Sequence, residues 1–226
     1  MTMPAKWRMY LAELLGTFLL IYMGAGAVIS HATFGSMDLL GIAVAHGLAI
    51  MIGIYAFGHI SGAHFNPAVT SAMMVTKRMT LVDGVSYIVS QLLGGTLAAL
   101  ALKLSFSDLL VSDFGTPSLA GGLSPVSAIF IEAMMTFILV MVIFAVAVHQ
   151  EKTRSEVAGL AIGSTIAANI LIGGVLTGGA MNPARWFGPA LASNIWTNWY
   201  VYLAGPLVGA LLAALLYQLL FLGKNK

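Results

Sequence analysis

Six stretches of this chain, roughly 9–29, 39–58, 83–102, 125–148, 157–177 and 199–222, are each about 20 residues long and almost wholly apolar. That is the length an α-helix needs to cross a hydrocarbon layer of ~30 Å. Composition agrees, with 59% of residues hydrophobic and 8% charged, against roughly 25% charged in an ordinary soluble domain. The solvent for most of the chain is therefore lipid, and the expected fold class is an all-α membrane protein. The first run carries Glu13 and is followed by no small-residue cleavage site, so it reads as a retained helix and not a signal peptide. No length is left for a second domain, and residues 1–226 read as one transmembrane unit.

Lys and Arg positions orient the spans. Lys6 and Arg8 precede the first run, Lys77 and Arg78 lie between the second and third, Lys152 and Arg154 between the fourth and fifth, and Lys224 and Lys226 end the chain. With six spans these four places share one side, which the positive-inside rule makes cytoplasmic, both termini included. The opposite side receives Asp38, Asp108 and Asp113, with Lys103 as its basic residue near the membrane surface. The expected location is a prokaryotic cytoplasmic membrane.

Laid on itself with an offset of about 115 to 119 residues, the chain matches at three places. Ala12-Glu13 with Thr17-Phe18-Leu19 answers to Ile131-Glu132 with Thr136-Phe137-Ile138, and Gly94 with Ala98 answers to Gly209 with Ala213. Gly62 to Ala68 answers to Gly178 to Ala184, each segment ending in Asn-Pro-Ala. Each half, about 7–104 and 124–222, is thus three spans with a polar loop between the second and third. Three is odd, so the halves cross the membrane in opposite senses, an inverted 3+3 repeat that brings the two loops in from opposite faces. Irregular backbone at membrane depth is tolerated only inside protein or beside a water-filled cavity, so the repeat by itself implies a pore.

Asn is a favoured helix N-cap and Pro a favoured first helical residue. A single Asn-Pro pair would read as a turn or an ordinary helix start, but two at repeat-related positions in an apolar chain predict half-helices over about 67–76 and 183–192. Each would span about 15 Å, half the apolar layer, so their N-termini meet near the midplane. The capping oxygen of Asn66 and Asn182 accepts from backbone, which turns each amide NH2 toward the lumen as a donor. Backed by two positive helix ends, such donors oblige a passing molecule to offer lone pairs and oppose a hydronium ion. Asp would cap as well but would present an anion.

Arg185 lies three residues after Asn182. A cation in the first helical turn opposes the helix dipole and is costly at membrane depth, so the residue reads as functional, donating to solutes while repelling cations.

The segments Gly58-His59-Ile60-Ser61-Gly62-Ala63-His64-Phe65-Asn66-Pro67-Ala68-Val69-Thr70 and Met181-Asn182-Pro183-Ala184-Arg185-Trp186-Phe187-Gly188-Pro189 resemble the two signature loops of the aquaporin, or major intrinsic protein, family. The resemblance covers the chain. It implies an aquaporin-like fold of six tilted helices plus two half-helices, a pore in every monomer, a homotetramer, and passive passage of water and small uncharged molecules. It also places Arg185 in a narrow outer filter with His46, Ile170 and Gly179. Water-selective relatives have an aromatic at the first of these places and His at the second, and glycerol facilitators have Trp and a small residue. The set here is similar to that of plant vacuolar aquaporins that pass ammonia with water, except that Pro117 stands where those relatives carry a loop His. Trp186 replaces the Asp that facilitators carry after the motif Arg, while Leu203 stands where water channels often have an aromatic. Water with ammonia is the expected solute range, with glycerol as the alternative.

Glu13 and Glu132 are acids within spans, and their repeat symmetry favours bracing of the two loops over chemistry. His59 and His64 flank the first loop and read as fastening it, and a buried, bonded histidine is the other reading of His46. Gly159-xxx-Gly163, Gly205-xxx-Gly209 and Gly94-xxx-Ala98 permit close helix crossing. No Ser-His, His-Glu-x-x-His or paired-Asp arrangement supports an enzyme. A secondary transporter shares the inverted repeat but would call for an ionisable midplane group outside the bracing pair. Without cysteine there is neither disulfide nor thiolate site, and the 13 methionines read as lipid-facing or core filler. No cofactor, metal or nucleic-acid partner is implied.

Overall fold

The computed structural model describes residues 5–107, 109, 111–149 and 157–222. Lys152, Arg154, Lys224, Lys226 and Asp108, used above for orientation, lie outside the described residues. Six helices are long and apolar enough to cross a membrane. In the first half these are α1 (Lys6–Phe34), α2 (Leu39–Ser61) and α4 (Leu81–Ser105), with the short α3 (Pro67–Val75) between the last two. The second half repeats the order with α5 (Pro125–Ile143), α6 (Ala158–Thr177), the short α7 (Pro183–Ser193) and α8 (Val201–Tyr217). A π-helical turn extends α5 through Val148 and another extends α8 through Leu222.

Local chemistry sets the ends. Asp38, Thr80 and Ser124 cap α2, α4 and α5 by accepting from Gly41, Asp83 and Ser127 N–H, and Pro125 follows its cap at the first helical position. Gly35, Gly62 and Gly178 end α1, α2 and α6 in the left-handed conformation, where glycine carries no Cβ penalty. The helix α1 runs further at both ends than the apolar stretch 9–29: Lys6, Trp7 and Arg8 form its first turn, and residues 30–34 continue the ladder up to Gly35.

Small residues allow the crossings. A Cβ on Gly94 would overlap the backbone carbonyl of Leu14 in α1, and one on Gly209 would overlap that of Ala133 in α5. The same device thus closes α1 on α4 and α5 on α8. The halves interlock: α2 packs on α6, α3 on α8 as well as α4, and α7 mainly on α4. Each half-helix is therefore held by a span of the other repeat. At the end that carries Lys77 and Arg78, Lys6 Nζ donates to Asp83 at 2.8 Å and Tyr10 Oη joins at 2.8 Å, tying the start of α1 to the start of α4. The outward faces of the spans carry large exposed apolar side chains, among them Leu81, Val126, Phe130, Ile172 and Leu212, as lipid contact requires.

Candidate functional site

The two segments entering the half-helices have one backbone conformation. Gly62, Ala63 and Phe65 have φ of 85°, 52° and 48°, and Gly178, Gly179 and Met181 have 82°, 58° and 52°. Left-handed φ at a non-glycine is disfavoured and persists only where the surroundings over-determine it.

Buried carboxylates supply that constraint. Glu13 of α1 accepts from Ser61 Oγ (2.6 Å), His64 N (3.0 Å), Phe65 N (2.7 Å) and Gln91 Nε2 (2.7 Å). Glu132 of α5 accepts from Thr177 Oγ1 (2.6 Å), Ala180 N (2.9 Å) and Met181 N (2.7 Å). Tyr87 and Tyr202 complete the correspondence by donating to Ser61 O at 2.8 Å and Thr177 O at 2.9 Å. The strained backbone is thus pinned by charge-assisted bonds, roughly twice as strong as neutral ones.

Asn66 and Asn182 sit at the meeting point. Each Oδ1 accepts the N–H two residues on, at 2.9 Å in both loops. Each Nδ2 donates across the midplane, Asn66 to Met181 O at 2.9 Å and Asn182 to Phe65 O at 2.8 Å. Of each NH2, expected to face the lumen as a donor, one N–H ties the loops together and one is left over. Both amides are oriented without ambiguity, because the oxygen faces a donor and the nitrogen faces an acceptor. Pro67, Ala68, Pro183 and Ala184 are buried and open the two half-helices.

Arg185, buried on the first turn of α7, donates Nε to His46 Nε2 at 3.2 Å and Nη1 to Gly115 O at 2.8 Å. His46 Nδ1 lies 2.9 Å from Ile42 O. A carbonyl only accepts and a guanidinium only donates, so Nδ1 carries the proton and Nε2 is bare. His46 is therefore a neutral imidazole with both nitrogens committed. It is both a bonded, buried histidine and a cavity-lining one, and it offers no spare donor opposite Ile170. Gly24 makes room for it, since a Cβ there would lie 2.5 Å from His46 Cδ2. Arg185 Nη2 has no hydrogen-bond partner among the described residues.

Two cavities meet at this place. The inner, about 350 Å³, runs past Arg78, His64, Asn66 and Asn182, and the outer, about 260 Å³, lies under residues 113–120. His46, Ile170 and Arg185 line both, so they form the partition between them. Gly179 lines the inner cavity beside Ile170.

Of the remaining residues, His64 Nδ1 contacts Thr70 Oγ1 at 3.1 Å. His59 is exposed on the last turn of α2 and makes no side-chain bond among the described residues, which corrects its reading as a fastener of the first loop. Pro117 lines the outer cavity against Gly178, and the group reaching Arg185 from this loop is the Gly115 carbonyl. Leu203 is half-buried and lines neither cavity.

Sequence reasoning missed Gly115, Gly24, Gln91 and the hydroxyl pair Ser61 and Thr177. A signal existed for the pair, since both stand at one repeat-related place immediately before a glycine. A backbone carbonyl such as that of Gly115 leaves none.

Comparison with known proteins agrees over the whole length. The model of the family described as Major intrinsic protein matches residues 1–217. Aquaporin TIP2-1 of Arabidopsis thaliana is 40% identical, covering 98% of this chain and 90% of that protein. Glycerol uptake facilitator protein-like 6 of Lactiplantibacillus plantarum is 41% identical, covering 92% of this chain and 95% of that protein. Among solved structures, the aquaglyceroporin from Plasmodium falciparum superposes with a TM-score of 0.85 at 27% identity, covering 96% of this chain and 97% of that one. The all-helical architecture, the paired re-entrant half-helices and these full-length matches lead to one conclusion: the chain belongs to the major intrinsic protein family, a multi-pass membrane channel for water and small solutes and not an enzyme.

Proposed function

We propose that this channel passes water and ammonia and excludes protons and ions. In this reading Asn66-Pro67-Ala68 and Asn182-Pro183-Ala184 form the pore midpoint, and His46, Ile170, Gly179 and Arg185 form the selectivity filter. Glu13, Glu132 and His64 brace the loops. The observation that carries it is the partition: three side chains shared by two cavities, one of them apolar and one a guanidinium drawn aside by His46 and Gly115.

The chemistry follows from the donors. At the midpoint a water molecule meets the remaining N–H of Asn66 and of Asn182 beside two helix N-termini, so it presents lone pairs to both and cannot relay a proton onward. At the partition the spare Nη2 of Arg185 supplies a donor and a positive charge. Ammonia accepts such a bond through its lone pair, and Ile170 asks for no further polar contact. A cation meets the guanidinium at the partition itself, where none of the three shared side chains is a carboxylate, and Asp113 stands further along the outer cavity.

Glycerol passage is the second reading. One of its supports is the apolar side of the inner cavity, where Ile50, Ile162, Ile166 and Ile170 would accommodate a carbon backbone. Stopped-flow light scattering and internal-pH recording on proteoliposomes, with water, glycerol and ammonia compared in one preparation, separate the two. Fast water and ammonia with slow glycerol and no proton leak supports the first reading, and fast glycerol replaces it with the second.

The proposed location is the cell membrane with both termini cytoplasmic. Lys6, Arg8, Lys77 and Arg78 at one end of the helices, against Asp38 and Asp113 toward the other, support it. A homotetramer is proposed from the family relationship, and chemical cross-linking in native membranes tests it.

A further inference from the structure

Behind Arg185, on the side away from the lumen, three aromatic rings form a ladder. Trp186 lies nearly parallel to Tyr202 of α8, with centroids 5.8 Å apart and planes at 13°. Trp196, from the loop after α7, meets Trp186 edge-on at 5.6 Å and Phe187 at 6.0 Å. Tyr202 donates to Thr177 O, and the Thr177 hydroxyl is bonded to Glu132. The indole is 2% exposed, yet its Nε1 has no hydrogen-bond partner among the described residues. The contacts of the indole among the described residues are those of its ring, so what it contributes here is the volume it fills.

The packing says what that volume does. On one side α7 rests on α4 backbone to backbone: a Cβ on Gly188 would overlap the Gly95 carbonyl, and one on Gly95 would lie 2.8 Å from the Ala184 carbonyl. Toward α8, α7 makes few contacts and Trp186 supplies the ring stack. The half-helix is thus wedged between a fixed wall and one indole, one residue from the guanidinium whose bonds to His46 and Gly115 are 3.2 and 2.8 Å long. At the corresponding place in the first half stands Thr70, a small polar residue, and no arginine precedes it.

We propose that Trp186, clamped between Tyr202 and Trp196, is a specificity-determining positioning residue: it sets where the first turn of α7 lies and so how far Arg185 reaches into the partition. It touches no solute. The inference rests on the filter reading above. Removing the ring leaves a cavity into which the turn relaxes, drawing Arg185 back and widening the opening for solutes larger than water.

The test is the glycerol-to-water permeability ratio of proteoliposomes bearing wild type, Trp186→Ser, Trp186→Phe and Trp196→Ala, with urea as a second probe. Trp186→Ser is expected to raise the ratio about threefold or more while water permeability stays within about twofold, as an order-of-magnitude consequence of a large-to-small change beside the filter. Trp186→Phe, which keeps a stacking ring, should restore most of the wild-type ratio, and Trp196→Ala should show a smaller shift of the same sign. A folded Trp186→Ser protein with an unchanged ratio overturns the proposal, as does Trp186→Phe behaving like Trp186→Ser. If Trp186→Ser does not fold, Trp196→Ala decides: a raised ratio supports the ladder, and the wild-type ratio overturns it. The absolute wild-type ratio judges the filter reading separately, since the proposal concerns only the change.

Discussion

The two re-entrant loops share a backbone and differ in what stands behind it. Both carry left-handed residues at the same places, a carboxylate accepting two successive backbone N–H groups, a hydroxyl on that carboxylate and a tyrosine on the preceding carbonyl. Behind the first loop the support continues as polar contacts: Gln91 Nε2 donates to Glu13 and to Thr70 Oγ1 at 2.9 Å, and Thr70 contacts His64. Behind the second it is aromatic, with Trp186 where Thr70 stands in the first half, Ala180 for His64 and Pro206 for Gln91. On the lumen side, Arg185 answers to Val69. What the repeat conserves is therefore the midpoint, with its paired donors. What it breaks is the partition, which among the described residues stands on the Arg185 side of the midpoint.

The largest expected effect comes from breaking the shared part. Glu13→Gln and Glu132→Gln each replace a buried acceptor by an amide whose NH2 faces N–H donors, losing charge-assisted bonds and leaving buried donors unpaired. Each should cost on the order of 3 kcal/mol or more and remove most water permeability. Glu13 accepts four bonds and Glu132 three, so thermal unfolding in detergent should show the first variant as the weaker. The reverse order would mean that the aromatic support leans on its carboxylate more than the polar one does.

Breaking the unshared part should leave the fold intact. Arg185→Val turns the second half toward the first, where Val69 lines the inner cavity. Glycerol permeability is expected to rise several-fold and cation conductance to appear, read by stopped flow and by planar-bilayer recording. Unchanged selectivity would place the filter elsewhere.

A smaller effect sharpens the contrast in support. Gln91→Leu deletes the donors to Glu13 and Thr70, but it also removes a buried Oε1 that has no partner among the described residues. The net loss should be about 1–3 kcal/mol, with the glycerol-to-water ratio unmoved, whereas a change at Trp186 is expected to move the ratio. A shifted ratio in Gln91→Leu would show that both loops, and not the second alone, set the opening.

How much of this was legible in the sequence follows from the range of each interaction. The spans and half-helices were, because run length and an Asn-Pro start are local signals. The bracing carboxylates stood out as repeat-symmetric acids in apolar runs. His59 was misread because nearness in sequence to the loop says nothing about the face of α2 on which it lies. Gln91 sat unremarked inside an apolar stretch, where a polar residue has meaning only through the distant groups it reaches, Glu13 and Thr70. The hold on Arg185 was out of reach, since it rests on a Gly115 carbonyl from a loop without periodicity and on a tautomer fixed by two partners distant in the chain or in role, the Ile42 carbonyl and the Arg185 guanidinium. Local chemistry spells out the scaffold, while the partition is assembled from α2, α6, α7 and the loop between α4 and α5.

The smallest expected effect probes that assembly. Ile170 is the apolar member of the partition, and His46 across from it has no donor to spare, so in the proposed filter Arg185 is the side-chain donor left for a solute there. Ile170→His adds a polar ring that narrows the opening and supplies a hydrogen-bonding group suited to water. Water permeability relative to ammonia should rise about two- to threefold, roughly the 0.5 kcal/mol expected of one modest net hydrogen bond, when both fluxes are measured in the same liposomes. An unchanged ratio would mean that the side chain of Ile170 stands clear of the solute path, leaving the discrimination to Arg185 and the width at which His46 and Gly115 hold it.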